Sequence, residues 1–185
     1  MKNRKWVGLL FVAPAAVSII LMMVYPILQV TQFSFSKLTL PYFDTEFIGL
    51  NNFKNIFSKP ELVEIARNTL VWTIASLVLR MILGFGAALI MESKLRGMKA
   101  LRTFALIPWV IPSIVAANTW RWIYVADNGL LNAVLKTFSP SLTANWLGNA
   151  GTALTSVIVA YSWAGFPFNM LMLVAALQGI PEDYK

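Results

Sequence analysis

Four long apolar stretches, separated by polar segments, dominate the pattern of this chain. They lie at about residues 6–33, 68–91, 103–125 and 152–178. A helix needs about 20 predominantly apolar residues to cross the hydrocarbon core of a bilayer, and each stretch is long enough. The pattern therefore predicts an all-α membrane protein with four transmembrane helices, in a single transmembrane domain over residues 1–185.

The third stretch contains two prolines, Pro108 and Pro112, spaced four residues apart. Each proline lacks a backbone donor and crowds the preceding turn, so a kink or a local opening of the helix is expected. Ser113, Asn118 and Thr119 add polar groups beyond the prolines. The stretch is typical of a helix that lines a path for cargo through the membrane. The alternative is a bent helix that only packs against its neighbours and contacts no cargo.

The first stretch follows three basic residues, as a signal peptide would. A cleavable apolar segment is only about 7–15 residues long, however, and this stretch is much longer. We therefore interpret it as a membrane span, bent near Pro14 and ending near Pro26. The three basic residues are Lys2, Arg4 and Lys5.

The second stretch combines a small-residue pattern with one charge. Gly84 and Ala88, four residues apart, predict close packing against another helix. Arg80 lies near the middle of the stretch, and an intramembrane arginine is costly unless it faces protein or water. We favour an interhelical hydrogen-bonding or snorkelling role for Arg80, and contact with a polar cargo is the alternative.

The polar segments contain three weaker signals. Residues 58–67 are interpreted as a short amphipathic surface helix, residues 127–129 as a turn, and residues 130–138 as a short helix. Basic residues concentrate before the first stretch and at residues 94–102. Because cytoplasmic segments carry an excess of lysine and arginine, both chain ends are predicted to be cytoplasmic.

Composition narrows the function classes. Hydrophobic residues make up 58% and charged residues 12% of the chain, whereas soluble domains carry about 25% charged residues. There is no cysteine or histidine, and no Asp or Glu falls within the four stretches. These absences argue against an enzyme, a resident metal or a cofactor. The net charge of +7 does not indicate nucleic-acid binding, because the basic residues flank apolar runs.

Short phrases spread along most of the chain, in this order and spacing, resemble one family. It comprises the permease subunits of ATP-binding-cassette (ABC) importers of the sugar type, which include the maltose and glycerol-phosphate systems. The phrases are FIGLNNF (47–53), NTL (68–70), Arg102 with IPWVIP (107–112), GLLN (129–132), WL (146–147), SWAGFPF (162–168) and LQGIPEDY (177–184).

The resemblance implies a type I importer permease core whose last two helices, and the E-A-A coupling loop before them, would follow Lys185. The expectation is thus a shortened permease of a bacterial inner membrane. Implied partners are a second permease subunit, cytoplasmic ATP-binding subunits that hydrolyse ATP, an extracytoplasmic solute-binding protein, a sugar and lipid. The family's phrase puts Pro181, Glu182, Asp183 and Tyr184 on the ATPase-coupling side. The rival interpretation is a non-transporting structural or regulatory protein with four spans.

The cargo path is predicted from helix spacing together with the resemblance. Trp109 and Ser113 are four residues apart, and Tyr161, Gly165 and Phe168 follow at i, i+4 and i+7, so each set should share one helix face. An aromatic ring beside a hydroxyl group suits a sugar, because the C–H face of the sugar can lie on the ring while its hydroxyl groups find partners. Gly165 would leave room for the sugar between the aromatic residues. Tyr161 stands where the maltose version has an asparagine. The alternative is that these aromatic residues only pack between spans.

Two further residues are candidates for a polar part of the path, namely Arg80 and Asn118. Arg80, or Arg121 near the end of the third span, would suit a phosphorylated sugar. Snorkelling is the alternative explanation for Arg121.

Overall fold

The computed structural model describes residues 3–39, 44–93, 97–179 and 181. The chain divides into two compact units, Met1–Glu64 and Ile65–Lys185, and each is described by itself. Three helices in the described part are long and apolar enough to cross a membrane, or four if one bent pair counts as a single span. The fold is thus mostly helical, as predicted, with one short hairpin added.

The first unit begins with a long apolar helix built from three segments. Helix α1 (Asn3–Ile19) continues through a π-helical segment (Ile20–Val24) into α2 (Tyr25–Ser34). Pro26 lies in the first turn of α2, where a missing N–H is tolerated. The preceding turn is widened, and the Tyr25 N–H donates to the Ile20 carbonyl five residues earlier. The expectation that the helix ends near Pro26 is therefore wrong.

A β-hairpin and a short helix follow in the same unit. Strands β1 (Ser36–Thr39) and β2 (Asp44–Phe47) pair antiparallel, and α3 (Asn51–Phe57) comes next. The Asn52 amide donates to the carbonyls of Ser34 and Ser36 at 3.0 and 2.9 Å. These two hydrogen bonds hold α3 against the end of α2, so Asn52 of the FIGLNNF phrase has a structural role.

Helix α4 (Glu61–Glu92) is longer than predicted at its N-terminal end. The expected separate surface helix at residues 58–67 is wrong, because residues 61–67 form the first turns of α4. Glu61 and Glu64 lie in the first turn, where negative charge stabilises the exposed amide groups of the helix N-terminus.

The third apolar stretch forms two helices with a sharp break between them. Helices α5 (Met98–Val110) and α6 (Ser113–Ile123) are bent by 96°. Ile111 is extended (φ −67°, ψ 129°), as a residue before proline prefers to be. The predicted opening is confirmed. Trp109 and Ser113 lie on opposite sides of the break, so the prediction that they share a helical face is wrong.

The second unit also contains α7 (Leu130–Phe138), as predicted, and the long α8 (Ala150–Gln178). The Asn149 side chain accepts a hydrogen bond from the Gly151 N–H at 2.8 Å and caps the start of α8. The turn before α7 is also present at residues 126–128.

Helices α4 and α8 pack closely through small residues. A β-carbon on Gly84 would lie 2.8 Å from the Asn169 β-carbon, so only glycine permits this approach. Ala88, one turn further, is fully buried with Met170 in the core. The close packing predicted from Gly84 and Ala88 is confirmed.

Candidate functional site

A cavity of about 340 Å³ lies between α6 and α8. Two of the predicted path residues, Ser113 and Tyr161, line it. Ser113 begins α6 directly after the break, and Tyr161 projects from the middle of α8. The remaining lining residues were not predicted, except that Arg121 was considered for a phosphorylated cargo; they are Ala116, Ala117, Trp120, Arg121, Tyr124, Leu147, Val157, Ala160 and Ala164.

Aromatic side chains form one wall of this cavity and continue behind it. The ring of Trp120 lies 5.6 Å from that of Trp163 and 5.3 Å from that of Tyr124. Tyr124 in turn lies 6.1 Å from Trp146, and its hydroxyl donates to the Ser156 carbonyl at 3.0 Å. Because these rings support one another and the hydroxyl is bonded, the wall is held in a fixed position.

Asn132 organises the connection between α6 and α8 that carries Trp146. Its side chain is fully buried. The amide nitrogen donates to the carbonyls of Ala126 (2.7 Å) and Ala144 (2.9 Å). The amide oxygen accepts from the Ala144 N–H (3.1 Å) and the Trp146 indole (2.9 Å). One residue thus fixes both ends of the connection and the orientation of Trp146.

Arg80 forms a contact between α4 and α8 beside the cavity. Its Nη2 donates to the Tyr161 carbonyl at 2.9 Å, and the guanidinium carbon lies 3.6 Å from the centre of the Tyr161 ring. Its Nε is buried without a hydrogen-bond partner in the described part of the chain. These contacts support the interhelical role that we favoured for Arg80.

Gly165 provides the space for this arginine. A β-carbon at Gly165 would lie 2.6 Å from Arg80 Nη2 and closer still to the guanidinium carbon. The guanidinium therefore occupies the room that we expected Gly165 to leave for cargo.

The other predicted path residues form a second group. The rings of Trp109 on α5 and Phe168 on α8 are 6.1 Å apart, and each side chain is about half exposed. Asn118 donates to the Ile114 carbonyl of its own helix at 3.0 Å and does not line the cavity. Of the predicted coupling residues, Pro181 is described as non-helical, whereas Glu182, Asp183 and Tyr184 lie outside the described residues.

The surface of the cavity is almost wholly apolar and consists of aromatic rings and small aliphatic side chains, although Ser113, Tyr161 and Arg121 are among its lining residues. None of the described residues that line it is acidic. Such a surface can pack against the apolar face of a solute. Among the described residues, no group of three or more His, Cys, Asp or Glu side chains is placed to hold a metal.

Long apolar helices and a broken helix, with a half-open cavity beside the break, are typical of a multi-pass membrane protein that moves a solute. The chain belongs to the family of binding-protein-dependent transport system inner membrane components, whose family model matches residues 80–185. The predicted resemblance to importer permeases is thereby confirmed, and this family is one of membrane permease subunits.

Individual relatives agree with this assignment. The chain is 32% identical over 176 residues to a trehalose/maltose transport system permease protein of Thermococcus litoralis, covering 95% of this chain and 59% of that protein. It is also 32% identical over 185 residues to a trehalose transport system permease protein of Mycobacterium tuberculosis, covering 99% and 58%. The chain thus spans about three-fifths of the length of these relatives.

A solved structure shares the fold. A chain of a bacterial alginate ABC transporter, crystallised in complex with an alginate pentasaccharide-bound periplasmic protein, superposes with a TM-score of 0.81 at 18% identity. The match covers 98% of this chain and 60% of the other. The predicted fold class, an ABC importer permease, is confirmed.

Proposed function

We propose that this chain forms part of the cargo path of an ATP-driven importer for a sugar or a sugar derivative. The observation that carries the proposal is the cavity between α6 and α8, which has an aromatic wall and lies inside the region that matches the family. The C–H face of a sugar can pack against such an aromatic ring. Two relatives named for trehalose or maltose transport support this substrate class.

The proposed assembly contains a second permease subunit, cytoplasmic ATP-binding subunits and an extracytoplasmic solute-binding protein. The family description itself refers to dependence on a binding protein. The chain has no G-x-x-x-x-G-K-[ST] loop, so we assign ATP hydrolysis to the partner subunits. In this arrangement, residues 181–184 face the cytoplasm on the coupling side.

We expect the N-terminus to be cytoplasmic, and cysteine labelling tests this orientation. The chain has no cysteine, so single replacements report unambiguously. On intact cells, a membrane-impermeant maleimide should label Asn51→Cys and Asn145→Cys. Ser93→Cys should react only after permeabilisation, because it follows α4 on the side rich in basic residues. Labelling of Ser93→Cys from outside would reverse the orientation.

The two predicted path residues outside the cavity, Trp109 and Phe168, are tested by uptake in the complete transporter. Trp109→Ala and Phe168→Ala should each lower sugar uptake roughly two- to tenfold, because an aromatic contact contributes about 0.5–1.5 kcal/mol. Assembly and basal ATP hydrolysis should remain unchanged. Trp122→Ala and Phe104→Ala are matched controls, since both side chains are exposed away from this pair. Normal uptake by both test variants would exclude these residues from the path.

A further inference from the structure

Helix α7 has two apolar faces, and only one of them contacts the protein. The inner face is buried or half-buried and carries Asn132 with its four hydrogen bonds. The second face consists of three large exposed side chains at i, i+4 and i+8, which form one continuous line along the helix. We call this line the α7 stripe; it consists of Leu130, Val134 and Phe138, and Phe138 is 80% exposed.

The α7 stripe cannot turn inward, because other bonds fix the rotation of the helix. Asn132 is held on the opposite side by both its amide nitrogen and its amide oxygen. In addition, Lys136 Nζ donates to the Asp127 carbonyl at 3.1 Å. Three apolar side chains therefore point outward from a helix whose rotation is fixed. Exposing this apolar surface to water costs free energy.

The start of α7 lies next to the end of a membrane segment. The Gly129 N–H donates to the Val125 carbonyl at 2.9 Å, so a tight turn brings α7 back to the last turn of α6. That turn carries Arg121 and Trp122, and the Trp122 side chain is 75% exposed. Exposed tryptophan and arginine at a helix end are typical of the interface between lipid and water.

We propose that α7 is an interfacial helix whose stripe inserts between lipid headgroups and acyl chains at the membrane surface reached by the end of α6. The stripe would continue the apolar, lipid-facing surface of the spans. The charges fit as well: α7 contains one cation, Lys136, and no acidic residue, and Arg121 lies at the adjoining helix end. Such a surface suits anionic phospholipid. The proposal does not depend on the cargo.

Site-directed spin labelling tests this placement in the whole chain, again in its natural cysteine-free background. A nitroxide is attached to Val134→Cys or Phe138→Cys, with the protein in nanodiscs of phosphatidylethanolamine and phosphatidylglycerol. Lys136→Cys is the matched control, because position 136 is exposed and lies on the side of the helix opposite Val134. The ratio of collisions with oxygen to collisions with a water-soluble nickel chelate should be several-fold higher at 134 and 138 than at 136.

The other outcomes overturn the proposal in distinguishable ways. A ratio at 134 and 138 equal to that at 136 would place the stripe in water. Protection from both reagents in nanodiscs would indicate that protein covers the stripe, as in self-association. If protection from both reagents arises only after the remaining transporter subunits are added, the stripe is a subunit interface.

Discussion

Replacing Asn132 with leucine is expected to destabilise the second unit by roughly 3–5 kcal/mol. Leucine has a similar volume, but it cannot donate or accept any of the four hydrogen bonds that Asn132 makes. The carbonyls of Ala126 and Ala144, the Ala144 N–H and the Trp146 indole would lose their partner. A buried polar group left without a partner costs about 1–3 kcal/mol, and part of this cost is relieved by local opening to water.

Thermal unfolding in nanodiscs, followed by tryptophan fluorescence, measures this loss. Asn118→Leu is the matched control, because Asn118 is exposed and bonds only to a carbonyl of its own helix. The control should change the stability by less than about 0.5 kcal/mol. If Asn132→Leu unfolds at the same temperature as the control, the connection between α6 and α8 does not depend on Asn132.

Replacing Gly165 with alanine should expel the Arg80 guanidinium from its position between α4 and α8. The new β-carbon would clash with Arg80 Nη2, so the bond to the Tyr161 carbonyl and the ring contact would both be lost. A charge-assisted hydrogen bond contributes about 1.5–3 kcal/mol and a cation–π contact about 0.5–2 kcal/mol. The expected loss of stability is therefore roughly 2–4 kcal/mol.

A double-mutant cycle tests whether displacement of the Arg80 guanidinium causes the loss of stability. Arg80→Ala alone should cost a similar amount, and Gly165→Ala added to Arg80→Ala should cost little more, because the guanidinium is already gone. Gly86→Ala is the matched control, since a β-carbon there meets no atom within 4 Å. If Gly165→Ala is equally damaging with and without Arg80, the glycine is required for another reason.

The long helices were predictable because their signals are local. The apolar runs at 68–91 and 152–178 correspond to α4 (Glu61–Glu92) and α8 (Ala150–Gln178), and the Gly84–Ala88 spacing indicated their packing. The hairpin was missed because its two strands have four residues each and are largely polar. Alternation over so few positions does not distinguish a strand from a loop.

The candidate site was predictable only in part, because it depends on how helices cross. Spacing on α8 placed Tyr161 and Phe168 on one face, but it could not indicate that Arg80 covers Tyr161 or that Trp109 meets Phe168. Pro112 predicted a break between α5 and α6. The sequence could not predict the 96° angle between these helices, which decides which side of α6 faces α8. The role of Asn132 was not predictable, because an asparagine in a short helix is usually at the surface.

The break between α5 and α6 also limits how far this segment reaches through a bilayer. At 1.5 Å rise per residue, the two helices are about 20 and 16 Å long. With 96° between their axes, their helical parts cover at most about 24 Å of a hydrocarbon layer about 30 Å thick. The Ile111 N–H donates to the Ile107 carbonyl, and the Pro112 carbonyl accepts from the Val115 and Ala116 N–H groups. The carbonyls that the two prolines leave without an amide donor need other protein or water wherever this segment lies in hydrocarbon.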